Sequence, residues 1–274
     1  MTGEQTIDGA HVYFEYSGEQ VKGDFDYKNQ FHDKDSGNLV TNRFVTVNDK
    51  TYFIGADSKA IKGATVIDNI EYFFDEKTGA QVKGNFASNK KYYNSTTGAL
   101  VINSYVQVDK DWYYVGNDGK RLKGSQTINN VPVYFDTYDG KQAKGESVQR
   151  NNHYYFYDQN LGHRITEQFV KVADFPHDEY RYFGKYGVAV TGWQDINGNR
   201  YYFYPDTAYR VSIPWYQGDW DDFHKVYIDS KPYYFGHDGE LWRNRYVRSL
   251  GGIPGGYKSC LLYTSPSPRD ISGS

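Results

Sequence analysis

One short pattern returns so often that it leaves this chain few ways to fold. An aromatic pair is followed by a glycine-centred polar stretch and then, in three places, by Gln-x-Lys-Gly: "YFFDEKTGAQVKG" at Tyr72–Gly84, "VYFEYSGEQVKG" at Val12–Gly23 and "VYFDTYDGKQAKG" at Val133–Gly145. The aromatic-strand end recurs at Phe14, His32 (an imidazole standing in for the ring), Phe53, Phe74, Tyr93, Tyr114, Phe135, Tyr157, Phe183, Phe203 and Phe235, mostly about 20 residues apart. A glycine usually follows four or five residues later, where a turn needs a residue tolerant of positive φ. Hairpin three has Ser58-Lys59 there instead, and hairpin ten has Pro205 and Ala208. Each unit therefore reads as aromatic strand, turn, short second strand and linker.

A longer period lies above the first. Hairpins one, four, seven and ten share an Ile-Asp/Asn lead-in at Ile7, Ile67, Ile128 and Ile196. Hairpins three, six and nine share another at Phe44, Tyr105 and Phe169. Triplets of about 61 residues mean that hairpins rotated by about 120° would make one turn per triplet. A lone hairpin is barely stable in water, whereas stacked hairpins bury their rings against their neighbours. Large rings suit a thin array, because each buries a large area on few residues. The predicted fold is all-β, a repeat solenoid of about eleven hairpins of roughly 20 residues, with about three hairpins per turn. Two irregular steps mark insertions, "ADFPHDE" near Pro176 and "PWYQGDWDDFHK" near Trp215. The expected division is 1–212 as the hairpin array, 213–247 as an insertion plus the last hairpin, and 248–274 as a tail.

Composition agrees with an array in place of a wide aliphatic core. The 274 residues include 29 Tyr, 16 Phe and 5 Trp, with 28 Gly and a formal net charge of -3. Lys and Asp are interleaved, so no basic stripe for nucleic acid is visible. No apolar run approaches the roughly 18 residues of a membrane span. The N-terminus begins in mid-pattern with no secretory signal, so the chain reads as a fragment. From the single cysteine, Cys260, "CLLYTSPSPRD" abandons the aromatic punctuation. It resembles a transposon-type sequencing adapter translated in an open frame, and such scars are set aside in fold reasoning. Without Cys260, disulfide and thiol chemistry drop out.

The segments Gln5–Gly23, Ser125–Gly145 and Thr191–Phe203 resemble the cell-wall and glucan-binding repeats of Gram-positive bacteria. They are most similar to the C-terminal glucan-binding domain of glucansucrases from lactic acid bacteria and streptococci. Choline-binding modules and clostridial toxin repeats are related patterns. The resemblance covers roughly residues 1–247. It implies a β-solenoid that binds α-glucan such as dextran without catalysis, as a monomeric module of a longer secreted or cell-surface enzyme. The glucosyltransferase catalytic domain would be a separate, larger segment.

Sugar recognition needs an aromatic platform for the apolar pyranose face and polar groups for the hydroxyls. Residues two apart in a strand share a face. The expected carbohydrate-binding residues are therefore the exits Gln20/Lys22, Gln81/Lys83 and Gln142/Lys144, the cross-strand tyrosines Tyr13, Tyr72 and Tyr134, and the lead-in amides Gln5 and Gln126. Hairpin four has Ala64 in the comparable region. Several weak pockets on one polymer would gain avidity through effective concentration.

Other chemistry is weaker. An aromatic cage for choline calls for recurring tryptophans. Gly192-Trp193 is the only Gly-Trp, and Trp112-Tyr113 is the only Trp-Tyr in a strand. Choline or teichoic-acid anchoring is the alternative reading, with structural or adhesive surface repeat beside it. "DKDSGN" at Asp33–Asn38 begins like a calcium loop but has Phe44 at the twelfth position, so it reads as a polar turn. The histidines, including His153, His163, His177 and His237, lack metal-ligand spacing. Asp221-Asp222 is an adjacent pair, whereas a glycosidase holds two carboxylates across a cleft. No catalytic residue, metal or cofactor is expected. Trp215, Tyr216 and Trp220 are a separate ligand candidate.

Overall fold

The computed structural model describes residues 1–173, 178–212, 224–243, 246–249 and 258–261. Pro176, His177 and the insertion with Trp215, Tyr216, Trp220, Asp221 and Asp222 lie outside the described residues. So does 262–274. Among the described residues there is no helix, and so none long and apolar enough to cross a membrane.

The strands are β1 Gly3–Ile7, β2 Ala10–Phe14, β3 Arg43–Val47, β4 Lys50–Ile54, β5 Gly63–Ile67, β6 Ile70–Phe74, β7 Asn85–Phe86 and β8 Tyr92–Tyr93. They continue as β9 Ser104–Val108, β10 Asp111–Val115, β11 Gly124–Ile128, β12 Val131–Phe135, β13 Glu146–Arg150, β14 His153–Tyr157, β15 Gln168–Ala173 and β16 Glu179–Phe183. The last are β17 Gly192–Ile196, β18 Asn199–Phe203, β19 His224–Ile228, β20 Lys231–Phe235, β21 Tyr246–Ser249 and β22 Lys258–Leu261. Among the described residues they form eleven two-stranded antiparallel sheets of consecutive strands. Hairpin two is reduced to the bridge Phe25↔Phe31. Cys260 lies in β22, opposite Val247.

Two compact units are present. One comprises Met1–Gln126 and Phe135–Gln142, the other Thr127–Tyr134 and Ala143–Ser274. Strands β11 and β12 straddle the boundary.

The frame of the repeat differs from the sequence reading. The conspicuous glycine does not close the main hairpin. That hairpin closes earlier, at the Ile-Asp/Asn lead-in. Asp8-Gly9, Asn48-Asp49, Asp68-Asn69, Asn151-Asn152, Asn197-Gly198 and Asp229-Ser230 all have both residues at positive φ. This is the two-residue turn whose twist matches paired strands, which is why Asn, Asp and Gly hold it. The lead-in is thus the first strand. In Gly63–Gly84 the pairs run from Gly63↔Phe74 to Ile67↔Ile70, and the segment after Gly79 makes only the bridge Phe74↔Gln81.

From hairpin three to hairpin eleven the residue that ends each second strand is the core anchor, whereas Phe14 of hairpin one is half-buried. Phe74, Tyr93, Phe135, Phe183, Phe203 and Phe235 are fully buried. In hairpins three and six the anchor is Ile54 and Val115, one residue beyond the expected Phe53 and Tyr114. Packing runs between neighbours within each unit. Phe25 of hairpin two meets Tyr52 of hairpin three at 5.3 Å, and one triplet later Phe86 meets Tyr113 at 5.3 Å. Both contacts are edge-to-face, the arrangement favoured by ring quadrupoles. This recurrence at every third hairpin is what about three hairpins per turn of a repeat solenoid requires. A backbone hydrogen bond also ties many exits to the preceding hairpin: Gln81 N–H to Thr51 O at 2.7 Å, Leu100 to Glu71, Arg164 to Pro132, Arg210 to Tyr180 and Leu241 to Arg200.

Candidate glycan-binding surface

The exit position lies directly over the next glycine turn. It is occupied in chain order by Gln20, Leu39, Ala60, Gln81, Leu100, Arg121, Gln142, Arg164, Ala189, Arg210 and Leu241, each bridged to its hairpin's last strand residue. The Gln20 carboxamide donates to Ser36 O at 3.3 Å, and Gln81 does the same to Thr97 O at 3.2 Å. Arg121 Nη1 donates to Asp139 O at 3.1 Å in the same way. Lysines two residues on reach the same turns: Lys22 to Asp35 O at 3.0 Å and Lys144 to Asn160 O at 3.0 Å. Lys62 and Lys123 donate to Lys77 O and Tyr138 O. Lys83 instead donates to Thr51 Oγ1 at 3.3 Å. The recurring Gln-x-Lys thus caps orphan carbonyls of the following turn, the accounting that turns require. Gln142 is buried, and its backbone N–H donates to Trp112 O.

The turns are also fixed from within. Asp33, Asp75, Asn94, Asp136 and Asp158 each accept backbone N–H groups two and three residues on through Oδ1. Hydrogen bonding to the charged form holds the carboxyls of Asp33, Asp75 and Asp136 below the usual range. The side chain of Asp33, first residue of the calcium-like stretch, is committed to its own turn and to Arg43.

The lead-in amides are equally committed. Gln5 donates to Thr2 O at 3.1 Å and Gln126 to Lys123 O at 2.7 Å. Gln194, which the sequence reading did not single out, repeats the contact to Thr191 O at 2.9 Å. The pairing register gives hairpin four Thr65, not Ala64, at this position, opposite Tyr72 as Gln5 is opposite Val12.

The three tyrosines are not equivalent. Counted from the strand end, Tyr13, Phe73 and Tyr134 share one position and Tyr72 sits one residue earlier. A shift of one residue points a side chain to the other face. Phe73 meets Tyr93 of the following hairpin at 5.8 Å, as Tyr134 meets Tyr157 at 5.9 Å. Tyr72 instead meets Phe44 of the preceding hairpin at 5.4 Å. Tyr13 lies 5.2 Å from Tyr27 and 6.4 Å from His32. Desolvation first, then the Glu15 carboxylate, raises the Tyr13 hydroxyl above the ordinary tyrosine range.

A cleft of about 620 Å³ in hairpins one and two is lined by Gln5, Glu4, Thr6, His11, Lys28 and Gln30, with Asp26 and His32 behind; the Tyr13 and Tyr27 rings do not line it. Its charges are balanced: Lys28 contacts Glu4, and His32 Nε2 lies 3.1 Å from Asp26. Tyr27, 67 % exposed, presents its ring to solvent. The sequence reading also passed over the turn tyrosines Tyr16 and Tyr138, 100 % and 90 % exposed. Their signal was available, since each stands two residues before its turn glycine.

Where a cation could sit between rings, the chain supplies its own. Arg121 lies 3.7 Å from the Phe86 ring centre and 4.7 Å from that of Tyr113. Arg181 lies 3.7 Å from Tyr154 and 4.6 Å from Tyr209. Trp193 is packed by Tyr202, Tyr233 and Phe235.

A family profile described as a choline-binding repeat matches residues 1–44, 61–105 and 122–169, half of the chain. A second, described as a putative cell wall binding repeat, matches 103–120 and 191–206. Glucosyltransferase-S of Streptococcus mutans is 35 % identical over 73 % of the chain and 14 % of that protein. Glucosyltransferase-I of Streptococcus downei is 30 % identical over 80 % of the chain and 18 % of that protein. The chain thus spans less than a fifth of the length of these relatives. Among solved structures, CbpJ of Streptococcus pneumoniae matches 92 % of each chain at 18 % identity with a TM-score of 0.47. The modular autolysin LytC of the same species matches 77 % of this chain and 48 % of its own at 18 % identity with a TM-score of 0.49.

Proposed function

The chain belongs to the choline-binding repeat family, and from that membership we propose that it is a non-catalytic module that holds α-glucan outside a Gram-positive cell. Its relatives are named for glucosyl transfer, and the chain corresponds to a small share of their length. A module carried beside such an activity would meet the glucan being built. We further propose that it acts as a monomeric part of such a longer chain.

The observation that carries the reading is the cleft of hairpins one and two. It offers carboxamides, a hydroxyl, an imidazole and a paired Glu4–Lys28, and the exposed Tyr27 stands in sequence between its lining residues Asp26 and Lys28. A neutral polyol meets donors and acceptors there without an uncompensated charge. Gln5 takes part through its carboxamide oxygen, its Nε2 being engaged with Thr2. Of the other expected contacts, Tyr134 serves as an equivalent partial platform. Gln20, Lys22, Gln81 and Lys144 contribute by holding turns in place and through the donor capacity their capping bonds leave, while Lys83, bonded to Thr51 Oγ1, and the buried Gln142 stand in the same row.

The test is native electrophoresis of the chain in gels containing dextran. Retardation that falls in Tyr27→Ala and Gln5→Ala, with unchanged thermal melting, is the expected result. Free migration of the parent chain in dextran and in other α-glucans would sink the reading. Choline is the second reading, favoured by the description of the matching family. Against it, Arg121 and Arg181 already stand over the rings that a quaternary ammonium would need. Elution from immobilised choline by free choline would reinstate it.

A further inference from the structure

A second cleft, of about 750 Å³, has a different chemistry. It lies among hairpins five, six and seven of the first unit. Its polar walls are Lys90, Lys120, Arg121 and Lys123, and its apolar surface comes from Phe86 and the highly exposed ring of Tyr138. The one carboxylate on its edge, Asp139, faces Lys141 at 3.5 Å. Among the described residues, Lys90, Arg121 and Lys123 have no ion pair, and the Lys120–Asp118 pair is exposed and long at 3.8 Å. In a chain whose formal net charge is -3, this is a local concentration of cations facing one space.

The local structure explains why the cations stand there. Lys90 is at the turn of hairpin five with φ +67° and is exposed to solvent. Arg121 is the exit residue of hairpin six and Lys120 precedes it. Arg121 lies over the Phe86 and Tyr113 rings, and its Nη1 is anchored on Asp139 O. Lys123 is anchored on Tyr138 O. Two cations are therefore positioned by the fold and two are free to adapt at the rim. Fixed guanidinium and ammonium groups favour carboxylate or phosphate oxygens through charge-assisted hydrogen bonds. A neutral glucan makes no use of such an excess, whereas the Tyr138 ring suits the apolar face of a sugar.

We propose that this cleft binds an anionic polysaccharide, its carboxylate or phosphate groups held by Lys90, Lys120, Arg121 and Lys123 and one sugar face laid on Tyr138. It is a site separate from the neutral cleft of hairpins one and two, and it stands or falls independently of α-glucan binding.

The test uses the whole chain at near-physiological salt, in native gels containing polygalacturonate, a phosphomannan or dextran, with a single-stranded oligonucleotide as competitor. The parent chain is expected to be retarded by at least one of the two anionic polymers, and which one identifies the anionic group. Lys90→Glu/Lys120→Glu, two exposed changes away from the capping bonds, is expected to weaken that binding about tenfold or more. Retardation in dextran should not change. The control Lys50→Glu/Lys77→Glu alters net charge equally outside the cleft. An equal loss in that control, or no retardation by either anionic polymer, would overturn the proposal. Tighter binding of the oligonucleotide than of both polysaccharides would overturn it as well.

Discussion

The Gln81 carboxamide occupies the space where a side chain at Gly98 would begin. Its Nε2 donates to Thr97 O, and a Cβ built on Gly98 would fall 2.2 Å from it. Gly98 also has φ +72°. Two independent demands, backbone hand and close approach, thus meet at one residue. Gly98→Ala is expected to destabilise the first unit by about 1–2 kcal/mol from the left-handed backbone alone, with an additional loss from the displaced cap. Thermal melting of that variant, and of Gly98→Ala/Gln81→Ala, separates the two contributions. The double variant should recover the part due to the clash.

The same fit between exit and turn appears with the sizes reversed at Ala189 and Ala208. Ala208 holds a glycine-like φ of +56°, and it is buried with Ala189 and Phe183. A long exit side chain has no place above a turn that already carries a methyl group. Ala189→Gln is expected to cost 1–3 kcal/mol, the usual range for overpacking. Ala208→Gly should relieve most of that cost. A double-mutant cycle read by denaturant unfolding measures the coupling, and additive effects would show that the two positions do not compete.

Acid should loosen the turns. The carboxyls of Asp75 and Asp136 titrate below their ordinary range because backbone N–H groups bond the charged form. A folded-state value below the unfolded one means stability that is fully present above the unfolded carboxylate value of about 3.9. It is lost as pH falls through the folded values. Melting temperature should therefore hold steady from neutral pH to about 5 and drop below about pH 4. Asp136→Asn should melt near the parent at pH 7, because Asn94 already performs this turn role with an amide. It should also lose part of the acid dependence.

Tyr93 anchors a buried network. Its hydroxyl donates to Glu71 at 2.8 Å and accepts from Asn89 at 2.8 Å, while Lys91 pairs with Glu71 at 3.0 Å. Burial pushes its hydroxyl far above the normal tyrosine range, so it stays protonated. Tyr93→Phe keeps the ring contacts and removes both bonds, and is expected to cost roughly 1–3 kcal/mol. His32 occupies the equivalent strand end in hairpin two, bonded to Asp26 and to Gly37 O.

The repeat, its triplet and the ring-based core were legible because period and aromatic identity are properties of the string itself. The frame of the hairpin was not. Gly79 is conspicuous, whereas the tighter turn at Asp68-Asn69 contains no glycine, although Asp8-Gly9 and Asn197-Gly198 carry the stronger hairpin signal. Tyr72 was grouped with Tyr13 and Tyr134 because hairpin four has three aromatics in a row, and identity alone does not fix which one matches. The Gln-x-Lys exits were visible as a row, but their targets are carbonyls of the next hairpin's turn. Backbone acceptors leave no mark in a sequence.

The overlap of each exit with the following turn has a consequence for how such chains can change length. Removing hairpin five alone would set the Gln81 exit over Gly119, and removing hairpins five to nine would set it over Ala208, where a methyl group blocks the amide. Removing hairpins five to seven would set it over the turn at Gly162, the turn that follows the glutamine exit Gln142. An exit and the turn that follows it must therefore change together: a glutamine exit can be joined to a glycine turn but not to the turn of Ala208.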